Sequence, residues 1–294
     1  MIALSLLAIL YGKNQKPEII ISPFVLTKSP TPYPTISLIA VGDIMLGRNV
    51  NVKMQKYQNF NYPFEKTAAF LSSADLTFGN LESPFFDQCP IVGSGTFVFC
   101  ADYQAIEGLK LAGFDILSLE NNHLSNYGKA GIDQTQKLLL ENQISFSDSN
   151  NLTIKQFNQT SFGFLSFNLT FGLDSGNILK KVRENLGKTD PLIVSLHWGE
   201  EYKTKPAAWQ VELAHELIDL GVRVILGHHS HWIGEIEEYK NGLIFYSLGN
   251  FVFDQMWSQE TREGLVVKIT FENKNIKDFQ TYNVLFPTIP NLIL

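Results

Sequence analysis

"ILGHHSHW" (Ile225–Trp232) places three of the chain's six histidines, His228, His229 and His231, directly after the apolar run Val224-Ile225-Leu226-Gly227. The β-branched run reads as a buried strand, and the histidines as the loop at its end. A hydrophobic core has little use for three imidazoles, because burying unpaired polar groups costs free energy. Imidazole is a common metal ligand, so the question is whether other ligands reach the same place from elsewhere in the chain.

Working outward, other short apolar runs also end in polar residues. "ISLIAVGD" (Ile36 to Asp43), "ADLTFGNLE" (Ala74 to Glu82), "FDILSLENNH" (Phe114 to His123) and "PLIVSLHWGEEY" (Pro191 to Tyr202) each read as a strand that stops at a loop. Helical spacing lies between them at Pro63 to Leu71, Asp102 to Ala112 (Asp at the N-cap, Gly113 as the stop), Lys129 to Asn142 and Pro206 to Leu220. After Trp232 the pattern is all strand: "IGEIEEY", "GLIFYSLGNFVF", "GLVVKITFE" and "IKDFQTYNV", with Lys240-Asn241-Gly242 as a turn signal. Strand–helix alternation predicts an α/β fold with mostly parallel central pairing, and such folds build their sites at the C-terminal ends of strands. Asp43, Asn80 with Glu82, Asn122 with His123, His197, and His229 with His231 would then converge on one sheet edge.

The 294 residues can hold one large α/β domain or two smaller ones. A net charge of −6 and a pI near 5.5 exclude a nucleic-acid backbone as the main partner, which needs a basic surface. The 22 phenylalanines read as core packing. Met1 to Leu10 (MIALSLLAIL) is apolar but shorter than the roughly 20 residues that span a bilayer. Residues 1–12 therefore read as a signal or anchor segment. Residues 13–34 read as a linker, because repeated Pro prevents regular structure, and 35–294 form the folded domain. The expected location is outside the cytoplasm, with membrane attachment through the N-terminus. Cys89 and Cys100 flank the Gly-bearing loop "CPIVGSGTFVFC". They are either a hairpin disulfide, which persists only outside a reducing cytosol, or two buried thiols. No second pair stands nearby at zinc-site spacing.

The converging groups form a mixed nitrogen and oxygen donor set, which suits Zn, Mn or Fe and is poor for Cu(I). Such a set around one or two divalent ions can clamp a phosphoryl group, and Glu82 is the best candidate to bridge two ions. In order along the chain, "GDIMLGR" (Gly42 to Arg48), "ADLTFGNLE", "NNHLSNYG" (Asn121 to Gly128), "LHWGEEY" (Leu196 to Tyr202), "GHHSH" (Gly227 to His231) and "YSLGNFVFD" (Tyr246 to Asp254) resemble the CapA family of capsule and poly-γ-glutamate biosynthesis proteins, within the calcineurin-like metallophosphoesterase superfamily. The resemblance covers about residues 36–255.

That resemblance implies a four-layer α/β/β/α sandwich, two sheets face to face with helices outside. It implies Asp43, Glu82, Asn122, His197, His229 and His231 as metal ligands and His123 as the residue that stabilises the transition state or protonates the leaving group. His228 is then structural or a support behind the ligands, and Asn80 and Asn250 lie near the site. Read from the residue alone, Arg48 either pairs with a surface carboxylate or holds an anionic substrate group. The resemblance further implies a metal-dependent hydrolase acting at the cell envelope on an anionic or phosphorylated small molecule or polymer, alongside capsule-synthesis partners. A non-catalytic assembly factor that keeps the metal centre, and a hydrolase of another envelope bond such as an amide, are the alternatives. Two positions depart from pattern. Met45 stands where the wider superfamily has His, leaving one fewer ligand for a second ion. Asn126 stands where the family often has Asp, a residue that would orient a neighbour.

Simpler readings exist for single residues. Asp43 could cap a loop, and Asn80 and Asn122 could form Asx-turns. His215 reads as packing or surface, and Glu200 and Glu201 as a solvated face. Trp198, Trp232 and Phe251 read as rim packing.

Overall fold

A computed structural model describes residues 34–285, apart from 94 and 158, and the backbone of 291–293. The segments read above as signal or anchor and as linker lie, Pro34 excepted, outside the described residues. Among the described residues no helix is long and apolar enough to cross a membrane.

The chain runs β1 (Thr35–Ile44), α1 (Arg48–Tyr57), α2 (Ala68–Leu71), β2 (Leu76–Leu81), α3 (Ile106–Leu111), β3 (Ile116–Ser118), α4 (Gly128–Glu141) and β4 (Ser145–Ser147). Next come β5 (Thr153–Phe157), β6 (Thr160–Asn168), α5 (Ser175–Asn185), β7 (Leu192–His197), α6 (Ala208–Leu220), β8 (Val224–His228), β9 (Ile236–Tyr239) and β10 (Gly242–Phe245). β11 (Asn250–Val252), β12 (Glu263–Glu272), β13 (Asn275–Leu285) and β14 (Asn291–Ile293) follow. One sheet has the order β14-β13-β12-β1-β2-β3-β4, with β11 also pairing β1; the other is β5-β6-β7-β8-β10-β9. The central pairs β1/β2/β3/β4 and β6/β7/β8/β10 are parallel.

Side-chain alternation makes four layers from these sheets. On β1, Leu38 and Ala40 face an apolar layer between the sheets with Phe78, Phe164 and Val224, while Ile39 and Val41 face a second cluster with Leu109 and Leu139 of the helices. On the second sheet Val194 and Ile225 turn outward to pack against Val182 of α5 and Leu213 and Leu217 of α6. The expected α/β/β/α sandwich is the observed fold.

Two helix readings shorten. Pro63–Leu71 is helical only over Ala68–Leu71. Before it the chain makes successive turns, with Asn61 N–H bonded to the Asn59 side chain at 3.1 Å, and Pro63 brings no N–H to a helix ladder. Asp102 does cap, accepting from Gln104 N–H at 2.8 Å, but a single 3₁₀ turn (Tyr103–Ala105) precedes α3.

Candidate metal centre

The period of two that builds the core also builds the site. Along β2, Leu76 and Phe78 face the layer between the sheets, and Asn80 and Glu82 follow at the same spacing. On β7 Ile193 is succeeded by Ser195 and His197, and on β8 Val224 and Leu226 by His228. The inter-sheet layer thus turns from apolar to polar at the strands' C-terminal ends. Asp43 joins through an irregularity in the β1–β2 register between Ala40 and Asp43. Gly42 allows this: a Cβ there would lie 1.9 Å from the carbonyl oxygen of Gly249, whose loop carries Asn250 against Asp43.

Ligand atoms of Asp43, Glu82 and His197, all buried, lie within 4.8 Å of one another. His231 Nε2 is 3.9 Å and His123 Nε2 3.8 Å from Glu82 Oε1. His231 Nδ1 meets Asn250 Oδ1 at 2.9 Å, which turns its other nitrogen toward Glu82. His197 Nε2 is 2.9 Å from Asn122 Oδ1, and its Nδ1 3.2 Å from the Asn80 amide, which also donates to Asp43 Oδ1 at 2.9 Å. The His229 backbone N–H donates to Asp43 Oδ2 at 3.2 Å, and its ring lies 4.8 Å from that of His197. His229 and His231 have positive φ, 88° and 57°, a region that non-glycine residues adopt infrequently.

The donor set fits a cation. Glu82 is fully buried, yet neither carboxylate oxygen has a hydrogen-bond partner among the described residues, and His229 Nδ1 is likewise unpartnered. Such groups are costly unless a ligand satisfies them. Burial, then the charges of Asp43 and Glu201, pushes the Glu82 carboxyl well above its usual range. Burial also pushes Asp43 up, but the facing His228 and His231 imidazoles outweigh it and hold Asp43 well below the carboxylate range. Burial lowers His197 well below the usual histidine range and lowers His229 too, keeping both neutral, as metal ligands must be.

The profile of the bacterial capsule synthesis protein family PGA_cap matches residues 37–255, and all these residues fall within it. The chain belongs to this family. It is 32% identical over 259 residues to the capsule biosynthesis protein CapA of Bacillus anthracis (79% of this chain, 63% of that one). It is 30% identical over 268 residues to the PGA biosynthesis protein CapA of Bacillus subtilis strain 168 (83% and 70%). The chain therefore spans about two thirds of the length of these relatives. Among solved structures, a phosphatase from Mycoplasma pneumoniae aligns with TM-score 0.54 at 14% identity, covering 86% of this chain and 94% of that one. A 5'-nucleotidase from Candida albicans SC5314 aligns with TM-score 0.50 at 11% identity, covering 87% and 53%. These share the metallophosphoesterase-type fold.

In this PGA_cap protein the remaining sequence-derived residues take definite places. Arg48 gives Nε to Asp254 at 3.0 Å, ion-pairs it through Nη2 and donates Nη1 to the Thr96 carbonyl at 3.2 Å. Its donors thus serve the loop around the site. Met45 is fully buried in the helix-side core, its sulfur 3.1 Å from Gly47 N. Asn126 takes an orienting role with its amide oxygen, which receives His123 Nδ1 at 3.1 Å. His228 sits at the end of the inter-sheet core, Nδ1 3.2 Å from Asp43 Oδ1, within ion-pair distance but without hydrogen-bond alignment. His215 lies apart, stacked on Tyr239 and bonded to Glu237.

Three contributors were not found by sequence reasoning. Asn121 donates to Asn80 Oδ1 and accepts from the N–H groups of His123 and Leu124, shaping the turn that presents Asn122 and His123. Gln255 receives the Asn250 amide at 3.1 Å. Phe99 stacks on His123. Only Asn121, inside "NNH", carried a signal.

Proposed function

We propose that the protein is a metal-dependent hydrolase of the phosphoesterase type, acting on an anionic or phosphorylated small molecule or polymer during capsule or poly-γ-glutamate assembly at the cell envelope. The observation that carries this reading is the Glu82 carboxylate, fully buried, unpartnered and ringed by Asp43, His123, His197 and His231. Asp43, Glu82, Asn122, His197, His229 and His231 would hold one or two divalent ions, with Mn, Zn and Fe suited to these nitrogen and oxygen donors. A cation held there would supply Lewis acidity toward a phosphoryl oxygen. His123 would move the proton: Asn126 engages Nδ1, while Nε2, 3.2 Å from the Asn122 amide nitrogen, lies 3.8 Å from Glu82, where it can exchange a proton with a group that displaces the amide contact. The names of the Bacillus relatives support the biological setting. The Cys89–Cys100 disulfide supports an extracytoplasmic, N-terminally anchored location, because such bonds are rare in reducing cytosol.

The test is hydrolysis of bis(p-nitrophenyl) phosphate by the purified protein, with elemental analysis of bound metal. Turnover that chelation abolishes and Mn or Zn restores is the expected result. Bound metal without turnover of any phosphoester would instead favour a non-catalytic assembly factor. A reporter active only in the cytoplasm, fused after Leu294, should be silent; a strong signal would overturn the location.

A further inference from the structure

The loop closed by Cys89 and Cys100 is joined to His123 at two points. The Phe99 ring, 2% exposed, stacks on the His123 imidazole with centroids 3.9 Å apart and planes 24° apart. The Phe99 N–H donates at 2.7 Å to Asn126 Oδ1, the same oxygen that receives His123 Nδ1 at 3.1 Å. One residue therefore meets the imidazole by its face and, through Asn126, by its edge.

Phe99 is itself held from three sides. The Arg48 guanidinium lies over its ring, 4.9 Å from the centroid, and an imidazole stacked at 3.9 Å leaves only the opposite face for it. Arg48 is anchored by Asp254 and bonds the Thr96 carbonyl within the same loop. Phe253 meets Phe99 edge-on at 5.9 Å, and the disulfide closes one residue beyond, at Cys100. Among the described residues no other ring stacks on His123.

We propose that Phe99 is a positioning residue for His123, and that the Cys89–Cys100 loop, backed by Arg48, is the clamp that holds it. The stack fixes the imidazole plane and the shared Asn126 oxygen fixes its rotation, so Nε2 stays 3.2 Å from the Asn122 amide nitrogen and 3.8 Å from Glu82 Oε1. The inference rests on the reading of His123 as the proton-transfer residue. It also gives Arg48 a place in the site that needs no direct contact with substrate.

Phe99→Leu keeps an apolar side chain but removes the ring. In the metal-free protein, the His123 ring protons should carry the upfield NMR shift of a stacked imidazole. Phe99→Leu should abolish that shift, and Phe99→Tyr should retain it. His215, stacked on Tyr239 at 3.8 Å away from the site, is the internal control and should not change. With metal restored, kcat on bis(p-nitrophenyl) phosphate should fall about 10- to 100-fold in Phe99→Leu, the scale of a small misplacement of a catalytic group. KM and metal content should hold, and Phe99→Tyr should recover most of the rate. The double variant Cys89→Ser/Cys100→Ser leaves Phe99 in place but opens the clamp, and should weaken the His123 shift and kcat together. An unchanged His123 shift in Phe99→Leu, or a lost shift with unchanged kcat, would overturn the proposal. Absence of turnover in the unaltered protein would instead remove the hydrolase reading, and the NMR arm alone would then decide whether Phe99 and its loop place the imidazole.

Discussion

At the scale of single residues, Glu82 and His123 divide two kinds of work. Glu82 brings a buried carboxylate that nothing in the described protein satisfies, so its contribution depends on a bound cation. Glu82→Gln keeps the shape and removes the charge. Bound metal should drop severely, while the chelated protein should melt no lower than its parent, because the amide is neutral without the proton uptake that burying the carboxyl demands above about pH 4.5. Elemental analysis paired with thermal melts checks both halves; full metal occupancy in the variant would remove Glu82 from the ligand set. His123 has the opposite profile. Its Nδ1 is committed to Asn126, its Nε2 lies 3.2 Å from the Asn122 amide nitrogen and 3.8 Å from Glu82, and the ring is only 12% exposed. General acid–base groups contribute about 10²–10⁴-fold, so His123→Ala should lower kcat by that order and leave metal content nearly unchanged. Metal lost together with rate would make His123 a ligand and Asn122 the lesser partner.

At the scale of elements, the turn after β8 depends on how closely the backbone before it can be approached. A Cβ on Gly227 would stand 2.1 Å from the carbonyl oxygen of Tyr246, so Gly227→Ala must push β8 from the chain that follows β10. The expected cost is about 3 kcal/mol, the upper end for overpacking, or roughly 6–12 °C in melting temperature for a domain of this size. Gly176→Ala, where the nearest atom to the new Cβ is 3.8 Å away within α5, is the contrast and should change stability by under about 1 kcal/mol. Equal melting temperatures would mean the two chain segments yield more easily than the fold suggests. The ends of β1, β2, β7 and β8 were legible in the sequence because each is an apolar run broken by groups a core rejects. Position within the site was legible only where period two was followed through the break: His228 shares the parity of Val224 and Leu226, and that parity buries it against Asp43. α1, β4, β5, β6, α5 and β14 escaped notice. The edge strand β5 alternates between half-buried and exposed residues and offers no apolar run, and Gly187 and Pro191 separate α5 from β7 in a stretch with little periodicity. Phe99 was out of reach, since a Phe in a chain with 22 of them looks like core, and only the folded loop brings it onto His123.

At the scale of the whole molecule, a centre that keeps several histidines neutral ties folding to pH. In the metal-free protein burial holds His197 well below the usual histidine range, lowers His229, and brings His123 down to about 4. In the unfolded chain each titrates near 6.5. Below pH 6.5 the unfolded chain therefore binds more protons than the fold, so this stability is complete above 6.5 and is lost as the pH falls. Each histidine adds a slope of up to about 1.4 kcal/mol per pH unit. Glu82 acts in the opposite sense. Its carboxyl, raised by burial, keeps a proton that the unfolded chain releases above about 4.5, so its contribution is lost as the pH rises through the raised value. Asp43, held low by His228 and His231, weakens the fold only once the pH drops below its ordinary value of 3.8. Between pH 6.5 and 5 three imidazoles thus oppose one carboxyl. The denaturation midpoint of chelated protein should decline from pH 7.5 to pH 5.5. Protein loaded with Mn or Zn should decline more steeply, because a cation requires neutral imidazoles and an ionised Glu82, and its release adds to the loss. Urea titrations at the two pH values, with and without chelator, measure both slopes. A midpoint that rises toward pH 5.5 in chelated protein would show that Glu82, not the histidines, governs the energetics of the empty centre.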